Sequence, residues 1–312
     1  MPRKVILDLD PGIDDAVALA MALFDPRLDV VAVTAGGGNV PPEQATANLQ
    51  ALVGILDPPR LPRLGVAPDD TVRPERPFNM HGTNGLGGLD LPRARLHGGH
   101  VSEKVIWETI HAHPREVTIV CLGPLTNLSR VLARDPAIVE LIGEVVIAGG
   151  TAHGQGNATP VVDFNFYCDP PAARHVVREP MAKTLVPLET TGQVTFGFDL
   201  LDQLPPESSR AGRILRGMLP HALRAHRQIL GREEICLHDV AALVAVTNPE
   251  LFERVTVAAD VETGGELTAG MLVIDRRTVR QWLPNLDILT SCDVAAVQDC
   301  ILRGLAAAGA GT

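Results

Sequence analysis

The 312-residue chain predicts an α/β fold: a doubly wound, mostly parallel central sheet flanked by helices. Three observations carry that expectation. The runs VILDL, DVVAVTAG, EVTIVCLG, EVVIAGG and KTLVPLE are continuously apolar and β-rich, the pattern of strands buried on both faces. Helical patterns stand between them: AVALAMALF, PEQATANLQALVGIL, VSEKVIWETIHAH and PAARHVVRE. Finally, the informative polar stretches follow strands. DLDPGIDD comes after the first, GGGN after the second, LGPLTN after a middle one and AGGTAHGQGN after the next. In such sheets the active site lies at the C-terminal ends of the strands.

Residues 207–239 read as helical. The C-terminal part reads as smaller strands, VTVAADVE and GMLVIDRR, closed by a terminal helix. No repeat, low-complexity stretch or linker interrupts the chain, so one domain over 1–312 is expected. At 46% apolar residues it can fill a sizeable core. The net charge of −10, without a basic run, argues against nucleic-acid binding. Five scattered cysteines without a CxxC pair suit a reducing compartment. MPRKVILDLD runs straight into a strand with no h-region, and no apolar run reaches membrane-spanning length. A cytoplasmic protein without membrane contact is expected. The sequons at Asn127 and Asn157 read as chance or as site residues.

DLDPGIDD places Asp8, Asp10, Asp14 and Asp15 within eight residues. Strand alternation puts Asp8 and Asp10 on one face, Pro11-Gly12 turns the chain, and Asp14 and Asp15 open a helix. Helix capping accounts for one such carboxylate but not for four. Carboxylates this close need a cation or a shared proton, and oxygen-only ligands favour Ca²⁺ or Mg²⁺. An EF-hand fails on spacing, since Gly12 and Leu19 occupy acidic positions. A DxD-type Mg²⁺ phosphohydrolase is disfavoured by Gly12 and by a supply of only three lysines. Further on, LHD supplies His238 and Asp239, neighbours whose side chains point in different directions.

Taken together, DLDPGIDDAVAL, GGGN ending at Asn39, HGTNGLGG from His81, LGPLTN, GNATPVVDFNFYCDP, LHD and ETGGELTAGMLVIDRR resemble the inosine-uridine-type nucleoside hydrolase family. The resemblance implies a Ca²⁺ at the bottom of a deep pocket. Its ligands would be Asp10, Asp15, the backbone carbonyl of Thr126, and Asp239, together with a water and the ribose 2′- and 3′-hydroxyls. It implies Asp10 as general base toward that water, and Asp14 on a ribose hydroxyl. Asn39, Asn157 and Asn165 would make the other sugar contacts, with Asp8 as support for the loop. His238 is implied as the acid that protonates the leaving base, and His81, in a Gly-rich loop expected to be mobile, as a group that holds the base or closes the pocket. His226, Arg227 and Leu230 would line the base site.

The expected activity is thus calcium-dependent hydrolysis of the N-glycosidic bond of ribonucleosides, in purine and pyrimidine salvage, by a homodimer or homotetramer. A non-catalytic Ca²⁺-dependent nucleoside- or sugar-binding protein is the alternative. One residue departs from the pattern: Asp163 stands where the family usually has a Glu on the 5′-hydroxyl, and it is one methylene shorter, about 1.5 Å of reach. Either the swap is tolerated or the 5′ end is held less tightly. Trp107 and Trp282 both lie outside these motifs, which speaks against strict purine specificity, and the His81/His238 pair suits a broad or pyrimidine-accepting enzyme.

Overall fold

A computed structural model describes residues 2–69, 80–92 and 99–312. Twelve strands occur among them: β1 (Arg3–Leu9), β2 (Leu28–Ala35), β3 (Arg63–Gly65), β4 (Val117–Cys121), β5 (Glu144–Ala148), β6 (Lys183–Val186), β7 (Thr195–Phe196), β8 (Ile235–Cys236), β9 (Phe252–Val257), β10 (Ala259–Val261), β11 (Leu272–Ile274) and β12 (Leu286–Cys292). Eight of them form the central sheet, in the order β3-β2-β1-β4-β5-β6-β12-β9. Every neighbouring pair is parallel except β12 with the edge strand β9. The expected doubly wound, mostly parallel sheet is present.

The strand order reverses between β1 and β4, which opens the crevice where such sheets bind ligands. Register aligns the strand ends there: Asp8 pairs with Thr34 on one side and with Cys121 on the other. Helices pack on both faces. Ile13–Phe24, Pro42–Leu56, Arg210–Ala225, His238–Thr247 and Val294–Ala310 cover one core, and Ser102–Ala112, Thr126–Arg134 and Pro170–Arg178 cover the other. β4 and β5 have apolar side chains in both cores, which is why their sequences do not alternate.

Three local readings need correction. VTVAADVE divides between β9 in the main sheet and β10, which pairs with β11 in a separate ribbon. β12 and the helix Thr126–Arg134 were not read from the sequence at all. Within 207–239, the helix Arg210–Ala225 runs into a π-helical turn, His226–Leu230, which ends at Gly231 with φ +66°. The short strand β8 then intervenes before the helix His238–Thr247. No helix among the described residues is long and apolar enough to cross a membrane.

Candidate active site

The site begins where β1 ends. Asp15, the third residue of the helix Ile13–Phe24, folds its fully buried carboxylate back over the turn before it. Its Oδ1 accepts from the Asp10 N–H at 3.2 Å, and its Oδ2 accepts from the Gly12 N–H at 2.9 Å and from Asn39 Nδ2 at 3.3 Å. One carboxylate therefore caps the helix and fixes the loop. Asp10 Oδ2 accepts from the Asn39 N–H at 2.7 Å. The backbone closes tightly around it: a Cβ on Gly38 would fall 2.0 Å from Asp10 Oδ2, and one on Gly123 2.8 Å from Oδ1. Asp8 faces the strands instead, where its Oδ1 accepts from Thr34 Oγ1 at 2.7 Å and Asn127 Nδ2 at 2.8 Å. Burial outweighs those two bonds and raises its pKa to about 6. Asp8 is scaffold, as expected, and Asn127 is a buried strap across the strand ends.

Oxygens of Asp14, Asp15 and Asp239 all lie within 4.8 Å of one another. Burial, then the charge of Asp14, pushes Asp15 up to about 7. Burial and the charges of Asp14, Asp15 and Asp10 push Asp239 well above the carboxylate range. The sequence reading grouped Asp10 with Asp15 and Asp239; the closest trio contains Asp14, with Asp10 alongside. The donor set is carboxylate oxygen, which suits a hard divalent cation. Asn39 Oδ1 is buried and has no hydrogen-bond partner among the described residues.

A cavity of about 720 Å³ opens above these groups, within the range of small-ligand sites. Asp10, Asp14, Asn39, His81, Asn157, Asp163, Asn165, His238 and Asp239 all line it. Asp15 lies buried behind its wall. Thr126, also buried, opens the helix Thr126–Arg134, and its hydroxyl donates to Asp169 Oδ2 at 2.7 Å.

Two amides on the cavity lining are oriented by backbone groups. Asn165 Nδ2 donates to the carbonyls of Leu122 (2.7 Å) and Ala148 (3.0 Å), which leaves Oδ1 to accept. Asn157 Oδ1 accepts from the Phe164 N–H at 2.8 Å, which leaves Nδ2 to donate. Asp163 caps the short helix Phe164–Cys168 through Phe166 N (2.9 Å) and packs where a Cβ on Gly149 would stand 2.9 Å from its Oδ1.

His238 and Asp239 do diverge. Asp239 joins the carboxylates, whereas His238 Nδ1 meets Thr191 Oγ1 at 2.7 Å. Burial lowers the His238 pKa, opposed by the charge of Asp14. His81 Nδ1 accepts from the Ile13 N–H at 3.1 Å and lies 3.9 Å from Asp14 Oδ1. Its loop is tied internally through Asn84, which receives Leu86 N and Gly88 N and donates to Leu89 O. His226 and Leu230 line the outer wall, as expected. Arg227 does not; it pairs with Glu233 at 3.3 Å.

The sequence reading missed Glu189, Thr191 and Arg232, which also line the cavity. The Glu189 carboxylate accepts from Ala152 N (3.1 Å) and His153 N (2.7 Å) and so holds the loop after β5. The available signal was position: LETT follows β6, as the other site stretches follow their strands.

A parallel sheet with a carboxylate cluster, amides and a histidine around one crevice at its switch point defines a class of small-molecule enzyme site. A family model, inosine-uridine preferring nucleoside hydrolase, matches residues 5–299, and the chain belongs to that family of enzymes. Non-specific ribonucleoside hydrolases RihC from Shigella boydii and Escherichia coli are 33% identical over 309 residues, 99% of this chain and 100% of theirs. Among solved structures, a plant nucleoside hydrolase, PpNRh1, superposes with a TM-score of 0.88 at 30% identity, covering 98% of this chain and 99% of its own. A purine-preferring ribonucleoside hydrolase from Gardnerella vaginalis gives 0.90 at 25% identity, covering 99% and 100%.

Proposed function

We propose that this enzyme hydrolyses the N-glycosidic bond of ribonucleosides in a Ca²⁺-dependent reaction, releasing ribose and a free nucleobase. The observation that carries the reading is the carboxylate cluster of Asp14, Asp15 and Asp239, beside Asp10, at the floor of a cavity with His238 on its wall. Asp10, Asp15, Asp239 and the Thr126 backbone carbonyl would hold the cation, with Asp14 close enough to share it or to grip a ribose hydroxyl. A bound Ca²⁺ supplies the charge that relieves the carboxylates and acidifies a water.

This chain's own groups do the rest. Asn39 Oδ1, Asn165 Oδ1 and Asn157 Nδ2 bind and orient the sugar hydroxyls. The carboxylates and amide oxygens oppose the positive charge that develops at C1′ and the ring oxygen as the bond breaks. Asp10 takes a proton from the attacking water, and His238 delivers one to the leaving base. Relatives are named non-specific and purine-preferring, and we assign base choice to the outer wall.

The phosphohydrolase alternative loses its lysine candidate. Lys183 opens β6, at the end of the sheet away from the site, with its ammonium on the carbonyls of Glu179 and Met181. As parts of the same reading we place the enzyme in cytoplasmic nucleoside salvage, as a homodimer or homotetramer. Size-exclusion chromatography with light scattering tests the assembly, and a monomer contradicts it.

His238→Ala tests the reading. Turnover of inosine and uridine should fall by about 10²–10⁴-fold, while p-nitrophenyl riboside, whose leaving group needs no proton, should be largely spared. Equal loss on both substrates would return His238 to a structural role.

A further inference from the structure

We infer that Thr191 is a positioning residue for His238: its hydroxyl accepts the hydrogen bond of Nδ1–H and so commits Nε2 to the leaving base. This rests on the proposed role of His238 as the acid. Thr191 is 2% exposed and ends the one-turn helix Leu188–Thr191, which follows β6. That turn is anchored independently of His238. The Leu188 N–H donates to Gly150 O at 3.1 Å, and Thr190 Oγ1 donates to Leu289 O of β12 at 2.7 Å.

The hydroxyl has three neighbours. Two are carbonyl oxygens, Pro187 O at 3.3 Å and Leu188 O at 3.5 Å, which can only accept. The third and closest is His238 Nδ1, at 2.7 Å. An imidazole that acts as an acid carries protons on both nitrogens, so Nδ1–H needs an acceptor. Thr191 Oγ1 is that acceptor, and its own proton turns to Pro187 O.

The transfer then balances. The C1′–N bond breaks, its electron pair stays on the base nitrogen, and that nitrogen takes the Nε2 proton. The water oxygen bonds to C1′ and yields its proton to Asp10. His238 is left as the neutral Nδ1–H tautomer, with the same hydrogen bond to Thr191. Nothing around Nδ1 needs to reorganise during the step. A carboxylate in this place would oppose release of the proton, whereas a hydroxyl orients the ring without doing so.

Thr191→Val removes the hydroxyl at nearly constant volume, and Thr191→Ser restores it. Thr191→Val should lower kcat for uridine by about ten- to a hundredfold at unchanged KM. Activity on p-nitrophenyl riboside should stay within about twofold, and Thr191→Ser should recover most of the loss. Histidine ¹⁵N spectra, at a pH where the ring is neutral, should show the Nδ1–H tautomer of His238 in the wild type and in Thr191→Ser but not in Thr191→Val. Equal loss on both substrates, no loss on either, or an Nε2–H tautomer in the wild type overturns the inference. If His238→Ala itself fails to separate the two substrates, the acid role falls and this inference with it. If His238→Ala separates them and Thr191→Val does not, only the inference falls.

Discussion

The floor and the outer wall of the cavity are built on different terms. On the floor, the site residues lie in the segments that follow the strands, and several are held by the backbone of neighbouring loops. Asp10 is tied by Asn39, Asp15 by Gly12, Asn165 by the ends of β4 and β5. The outer wall is a π-helical turn, His226–Leu230, followed by an exposed segment that carries Arg232 and Glu233. There His226 is held through Nδ1 to Ala222 O at 3.0 Å, and Arg227 pairs with the exposed Glu233. On the proposed function, bond breaking belongs to the floor and base choice to the wall, so the two should be separable by mutation.

The largest effect should come from the floor. Asp239→Asn leaves a buried amide among the remaining carboxylates and removes a proposed cation ligand. We expect kcat/KM for every nucleoside to fall by at least about 10³-fold, about 4 kcal/mol, with Ca²⁺ affinity measured by calorimetry falling in parallel. A loss confined to one base would move Asp239 from the floor's role to the wall's.

A second effect is linked to pH. Asp15 rises from 3.8 to about 7 in the folded protein because of burial and Asp14. A carboxylate with a raised pKa contributes stability below its unfolded value, and that contribution is lost as pH climbs through the folded value. Ca²⁺ instead requires the ionised form, so binding offsets the loss. The gap in Tm between Ca²⁺-loaded and chelator-stripped protein should therefore widen from pH 5 to pH 8, by about 3–6 °C. A gap independent of pH would mean that the cation does not sit on these carboxylates.

The smallest effect belongs to the wall. Leu230→Ala should change kcat/KM by about 5- to 150-fold, and by different factors for inosine, adenosine, uridine and cytidine, since one aliphatic contact discriminates by only about 1–3 kcal/mol. A uniform loss across the four, with Ca²⁺ affinity also reduced, would break the separation between floor and wall.

The same division decides what was legible in the sequence. β1, β2, β4, β5 and β6 were readable because strands covered on both faces lose polar alternation. The carboxylates of DLDPGIDD were readable because their repulsion demands a partner wherever they fold. β12 was not, since LDILTSC mixes buried and exposed positions. The helix Thr126–Arg134 was hidden by polar residues, one of which, Asn127, points into the protein and not to water. Thr191 and Glu189 resemble ordinary turn residues in sequence. Their importance comes from partners 47 and up to 37 positions away, at His238 and at Ala152 and His153. Of the three residues expected along the base site, His226 and Leu230 are four apart and share the cavity side of the turn, whereas Arg227 faces away and pairs with Glu233.

The most direct measurement is ribose release from inosine, adenosine, uridine and cytidine by chelator-stripped protein, with and without added Ca²⁺. Cation-dependent nucleoside hydrolysis on the Asp10, Asp14, Asp15 and Asp239 floor predicts no ribose above background in the stripped protein and full recovery on adding Ca²⁺. Ribose release by metal-free protein at the Ca²⁺-loaded rate, or none from any nucleoside in either state, would contradict it.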